Sequence, residues 1–134
     1  MPLVRIDVSQ GRTEDELRQV ADAIHEAIVE VYGIPVRDRF QIVNELPTGR
    51  IIAEDAGLGF ERTTDVVMIQ IFTQRGRTEE TKATLYERIA TGLATLGIAG
   101  ENVFIGYVEN GPQDWSFGFG VAQYLTGELG VPQV

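Results

Sequence analysis

The chain has 134 residues, enough for one domain, and its 43% hydrophobic and 23% charged content is that of a folded globular protein rather than a disordered one. A formal net charge of -9 disfavours the nucleic-acid backbone as a partner, which needs clustered Lys and Arg. The absence of cysteine excludes disulfides, thiol catalysis and thiolate zinc sites and fits a reducing cytoplasm, while no apolar run is long enough for a signal-peptide core or a membrane span.

Residues 2–8 are predicted as a strand, because Val4, Ile6 and Val8 alternate with Arg5 and Asp7. From Thr13 the apolar positions Leu17, Val20, Ala21, Ile24, Ile28 and Val31 recur with helical spacing up to Gly33. Thr13 and Glu16 have the spacing of a capping box at the start of that helix. Pro35 and Arg37-Asp38-Arg39 form a connection to a second strand at Phe40-Gln41-Ile42-Val43. The glycine-containing stretch Pro47–Thr64 reads as an irregular hairpin or loop with a short strand at Ile51-Ile52. Val66–Thr73 (VVMIQIFT) is nearly continuous in apolar residues, as expected of a central strand covered on both faces. A second helix follows, capped by Thr78, with Leu85, Ile89, Leu93 and Leu96 as its stripe, and then a strand over Val103–Val108.

The segment Gly11-Arg12-Thr13-Glu14 recurs as Gly76-Arg77-Thr78-Glu79, each copy lying between a strand and a helix, and Phe40 and Glu45 recur as Phe104 and Glu109. The arrangement is that of a duplicated unit, residues 2–46 and 66–110, in a single domain spanning 1–134. Right-handed crossovers then put both helices on one face of a four-stranded sheet, a two-layer α+β fold. After Glu109 the chain turns rich in glycine and aromatic residues, and this arm, 111–134, is expected to pack on the sheet or on another subunit.

Several residues are candidates for chemistry, each with a plainer reading beside it. Met followed by Pro opens many chains, so Pro2 says little by itself, yet a free proline is a rigid secondary amine able to act as acid, base or nucleophile. Arg75 and Arg77 flank Gly76 beyond a buried strand; they are either a carboxylate clamp or part of a solvated turn. Asp38 between Arg37 and Arg39 fits a surface ion pair. Trp115, Phe117, Tyr124 and Leu129 fit core packing equally well as a pocket wall. His25, the sole histidine, is read as helix-boundary packing, and the acidic pairs Glu54-Asp55 and Glu79-Glu80 call for no metal.

Met1-Pro2 opening directly into a strand, the duplicated βαβ unit and the arginine pair resemble the tautomerase superfamily. So do Arg37–Val43, Glu54–Gly59, Arg75–Arg77 and Trp115-Ser116-Phe117-Gly118-Phe119-Gly120, and within the superfamily the likeness is to the malonate semialdehyde decarboxylases. The resemblance implies a homotrimer without cofactor or metal, acting on a small carboxylate substrate. It further implies that Pro2, freed of Met1, and Asp38 are catalytic, and that Arg75, Arg77, Trp115, Phe117, Tyr124 and Leu129 bind substrate. An apolar wall facing a carboxylate favours its release as neutral carbon dioxide. Decarboxylation of a 3-oxo acid is the activity so implied; tautomerisation of 2-oxo acids, hydration or dehalogenation of acrylates, and non-enzymatic binding by a trimer are the alternatives.

Overall fold

The computed structural model describes residues 2–130; Met1, whose removal the expectation about Pro2 requires, and residues 131–134 of the arm lie outside the described residues. Strand β1 (Pro2–Ser9) alternates as its sequence predicts, with Val4, Ile6 and Val8 buried. Helix α1 (Glu14–Tyr32) opens with the expected capping box: the Thr13 hydroxyl accepts the Glu16 N–H at 3.1 Å, and the Glu16 carboxylate accepts the Thr13 N–H at 2.9 Å. Loss of that cap in Thr13→Ala is expected to cost about 1 kcal/mol. Urea unfolding would read this as a lower midpoint at an unchanged slope. The helix stops at Gly33, whose φ of 65° is a left-handed turn that glycine adopts without a Cβ clash.

Next come β2 (Phe40–Leu46), β3 (Val67–Gln74), α2 (Glu79–Ala94), β4 (Val103–Asn110) and a short α3 (Gln123–Thr126) in the arm. The sheet order is β2-β1-β3-β4, with β1 parallel to β2, β3 parallel to β4, and the two pairs joined antiparallel through β1 and β3. The duplication holds residue by residue. Leu3 lies opposite Phe40 as Met68 lies opposite Phe104, and Val8 opposite Glu45 as Thr73 opposite Glu109. Gly11 and Gly76 share nearly the same backbone, with φ of 131° and 132°. The second cap differs: Thr81 replaces the glutamate, and both its N–H, at 3.1 Å, and its hydroxyl, at 2.9 Å, bond the Thr78 hydroxyl.

One apolar core lies between the sheet and the two helices, built from β1 and β3 residues such as Ile6, Ile69 and Ile71 and from Ile24, Ile28, Leu85, Ile89 and Leu93. Three sequence expectations are corrected. β3 is covered on one face rather than both: Val67, Ile69, Ile71 and Thr73 are buried toward the helices, whereas Gln70 on the other face is exposed, because both helices take the same side. Leu96 lies past the end of α2 and is exposed. Among the described residues no strand forms at Ile51-Ile52. The Asp55 carboxylate there accepts the N–H groups of Gly57, Gly59 and Phe60, and Arg62 donates to the carbonyls of Glu54 and Glu101, so side chains replace a strand ladder.

Candidate active site

A pocket of about 550 Å³ opens at the end of the sheet where β1 begins and α1 stops. Tyr32, Asp38, Phe40, Arg77, Phe117, Tyr124 and Leu129 are among its lining residues. Five of the residues singled out from sequence thus meet in one place although they are spread over most of the chain.

The turn carrying Asp38 is held to α1 from both sides. The buried His25 donates from Nε2 to the Val36 carbonyl at 2.7 Å, which fixes the tautomer with the proton on that nitrogen. On the other side Arg39 donates to Asp22 at 2.6 Å and to Gln41 at 2.7 Å, and Gln41 donates to the Ala21 carbonyl. Arg39 is therefore committed to Asp22. Between these anchors the Asp38 N–H closes a turn on the Pro35 carbonyl at 3.0 Å. The Leu3–Phe40 pairing sets the start of β1, and with it the buried Pro2, beside the end of this turn; Pro2 itself lies opposite Thr73 of β3.

Burial pushes the Asp38 carboxyl above its ordinary range, against the opposing pull of the amino-terminal charge, His25 and Arg77. A carboxyl whose folded value is raised binds its proton more readily folded than unfolded, so stability falls as pH rises from the ordinary carboxylate value through the raised one. Asp38→Asn, which does not titrate, is expected to melt at a higher temperature than the parent at about pH 7, with the difference vanishing near pH 3, below both values. An equal or lower melting temperature at neutral pH would mean that the partners of Asp38 outweigh its desolvation.

Gly76 breaks the extended geometry on which same-side projection of the two arginines depends. Arg77 enters the pocket lining, its guanidinium 4.4 Å from the centroid of the Tyr32 ring. Arg75 continues the β3–β4 ladder through its N–H to the Asn110 carbonyl at 2.8 Å, and its side chain lies exposed beside Gly111. A Cβ at Gly111 would meet the Gln113 Oε1 at 2.5 Å and the Arg75 Nη1 at 3.0 Å, so glycine there leaves room for both side chains.

The arm supplies the apolar wall through a chain of ring contacts. Phe117 stacks on Trp115 with centroids 6.0 Å apart, meets Tyr124 edge-on at 5.4 Å and touches Phe40 at 5.6 Å. Trp115 stands behind Phe117, outside the lining, with its indole N–H donated to Asn110 at 2.9 Å. The Gln123 side chain ties the arm to itself by accepting the Phe117 N–H and donating to the Gly118 carbonyl. Leu129 is held by its N–H on the Gln123 carbonyl at 3.1 Å. Burial raises the Tyr124 phenol and the Asp38 charge raises it further, so it stays a neutral hydroxyl in the pocket.

Two residues at this end were not singled out from the sequence. Gln74 is buried beside Tyr124, whose phenol its side chain faces closely enough to oppose the upward shift there, although its Nε2 makes no hydrogen bond of good geometry. Its signal was a polar residue closing an apolar run. Tyr32, the last residue of α1, carried no such signal.

Duplication places the same positions at the opposite end of the sheet, where Val67 stands for Pro2, Asn102 for Asp38 and Arg12 for Arg77. There Asn102 is buried and bonded twice to Thr63, at 2.8 and 2.9 Å, and Arg12 donates to the Asp65 carbonyl at 2.7 Å. The polar groups of that end are consumed by the connection leading into β3.

Comparison with known proteins shows the family. Sequence models described as tautomerase enzyme match residues 38–118 and 2–61. The "Probable tautomerase YrdN" of Bacillus subtilis (strain 168) is 43% identical over 130 residues, covering 96% of this chain and all of its own length, 100%. The structure of FG41 malonate semialdehyde decarboxylase inhibited by 3-bromopropiolate superposes with a TM-score of 0.95 at 55% identity, covering 97% of this chain and 99% of that one. A second malonate semialdehyde decarboxylase structure, described as a basis for decarboxylase and hydratase activities, gives 0.91 at 38% identity over 95% and 98%. With its paired βαβ units and whole-length likeness to these enzymes, the chain belongs to the tautomerase family.

Proposed function

We propose that the protein is a cofactor-independent decarboxylase of a small 3-oxo acid, converting malonate semialdehyde to acetaldehyde and carbon dioxide. The observation that carries this reading is the convergence of Asp38, Arg77 and the apolar surfaces of Phe117, Tyr124 and Leu129 on one pocket where the Pro2 strand begins. With Met1 removed, Pro2 carries a secondary amine, and a nearby Asp38 carboxylate favours its protonated form. Arg77 holds the substrate carboxylate and Arg75 adds positive charge nearby. Protonated Pro2 hydrogen-bonds the aldehyde oxygen; as the C–C bond to the carboxylate breaks, the electron pair enters the enol and carbon dioxide leaves. An iminium formed with neutral Pro2 supplies the same electron sink. The enol carbon then takes a proton to give acetaldehyde.

The exposed Phe40, Ile42, Phe104 and Val108 along the outer strands leave apolar surface that a homotrimer would cover. An NMR time course of mass-verified, Met1-free protein with malonate semialdehyde tests the activity. Acetaldehyde is expected, and its absence overturns the reading. The relative named a probable tautomerase favours a second reading, proton shuttling on a 2-oxo acid by proline alone. Turnover of phenylenolpyruvate unaffected by Asp38→Asn would support that second reading.

A further inference from the structure

Arg77 is held in an unusual way for a cation in a pocket. Among the described residues no carboxylate forms an ion pair with it; its guanidinium lies on the face of Tyr32 instead, 4.4 Å from the ring centroid. The distinction matters chemically. A carboxylate would occupy the in-plane N–H fork and compete with any bound acid, whereas an aromatic face attracts the guanidinium plane and leaves the fork open.

The Tyr32 ring is in turn fixed from the other half of the fold. Tyr32 is the last residue of α1, before the left-handed turn at Gly33, where helices fray. Its hydroxyl is hydrogen-bonded to that of Tyr107 on β4 at 2.9 Å, across 75 positions of sequence. Tyr107 is braced by two residues of α2: Lys82 stands 4.9 Å above its ring while pairing with Glu109 at 3.0 Å, and the Tyr86 ring meets it edge-on at 6.3 Å. Burial raises both hydroxyls above the ordinary tyrosine value, so the pair stays neutral and sets no negative charge of its own against Arg77.

We infer that Tyr32, locked by Tyr107, is the positioning residue that presents the Arg77 guanidinium to a substrate carboxylate and thereby sets the affinity of the pocket for short acids. The inference rests on the reading of Arg77 as the carboxylate holder and deepens it: the arginine of the first strand–helix junction in the second unit is aimed by an aromatic pair, one ring from each unit.

The test is equilibrium binding of malonate, with neutral malonamide as control, followed by calorimetry on the Met1-free protein and on Tyr32→Leu, Tyr32→Phe, Tyr107→Phe and Arg77→Ala. Tyr32→Leu removes the platform and is expected to weaken malonate about tenfold. Tyr32→Phe keeps the ring face and should restore most of that loss, Tyr107→Phe should fall between the two, and malonamide should change in none of them. Malonate binding to Tyr32→Leu at parental strength, or malonamide weakened equally, overturns the inference. So does a Tyr32→Phe protein as weak as Tyr32→Leu. Should Tyr32→Leu fail to fold by circular dichroism, Tyr107→Phe decides: unweakened malonate binding there overturns the inference as well. Binding needs no turnover, so a protein that binds malonate through Arg77 and Tyr32 but releases no acetaldehyde would overturn the decarboxylase reading alone. Undiminished malonate binding in Arg77→Ala would remove the premise.

Discussion

Protein that retains Met1 is expected to turn over malonate semialdehyde at least about a thousandfold more slowly than protein that begins at Pro2, within the range that loss of an acid–base group produces. The reason is the chemistry of one nitrogen. At the chain end it is a basic secondary amine whose protonation near neutrality is decided by its surroundings; preceded by Met1 it is an amide, with no proton to donate and no lone pair free to form an iminium. The buried start of β1, paired with Thr73 and set beside the Asp38 turn, keeps that nitrogen in one position in either case, so binding and folding should change far less than rate. Pro2→Ala in processed protein is the companion variant. It retains an amine but loses the ring that fixes its direction, and a loss of about a hundredfold is expected. The measurement is an NMR progress curve on fractions sorted by intact mass. Equal rates in the two fractions would remove Pro2 from the mechanism.

Arg77→Ala is expected to lower kcat/KM for the same substrate about a hundredfold, the factor corresponding to loss of a charge-assisted, two-pronged contact in a partly desolvated pocket. Most of the loss should appear in KM if Arg77 binds ground state and transition state alike, and in kcat if the contact tightens as the carboxylate departs. Arg77→Lys keeps the charge but neither the planar fork nor the flat contact with Tyr32, so it should recover only a small part. Arg75→Ala is the informative contrast. Its side chain is exposed beside Gly111, where solvent screens its charge, and a loss below about fivefold is expected. Steady-state kinetics on the four proteins would decide, and equal losses at the two positions would mean that the Arg75 side chain swings into the pocket when substrate binds.

Much of the fold was written locally. The alternation of Val4, Ile6 and Val8, the Thr13–Glu16 cap, the Gly33 stop and the recurrence of Gly-Arg-Thr-Glu each depend on neighbours a few residues away, so their consequences could be read without knowing the rest of the chain. The expected strand at Ile51-Ile52 failed because apolar composition does not reveal that the Asp55 carboxylate and Arg62 will satisfy the surrounding backbone in another way. The expectation of a doubly covered β3 failed because an apolar run records hydrophobicity and not which face the helices choose.

The candidate site divides along the same line. The duplication stands in the sequence by itself, and Asp38, Arg77, Phe117, Tyr124 and Leu129 were legible there through the family resemblance, whereas Tyr32 and Gln74 were not. Only the tertiary structure decided that Arg77 lines the pocket while the Arg75 side chain is exposed beside Gly111, since that depends on the turn at Gly76; that His25 and Arg39 pin the Asp38 turn to α1; and that Tyr32, tied to Tyr107 of the other half, lies beneath Arg77. It also decided that of two ends built from one repeated unit, one has its Asn102 and Arg12 engaged by Thr63 and Asp65, whereas the other turns Asp38 and Arg77 to a larger pocket. Local patterns report periodicity and caps because those energies act over a turn or two of chain. An open cavity is set by which distant polar groups find partners, and that is settled only when the halves pack.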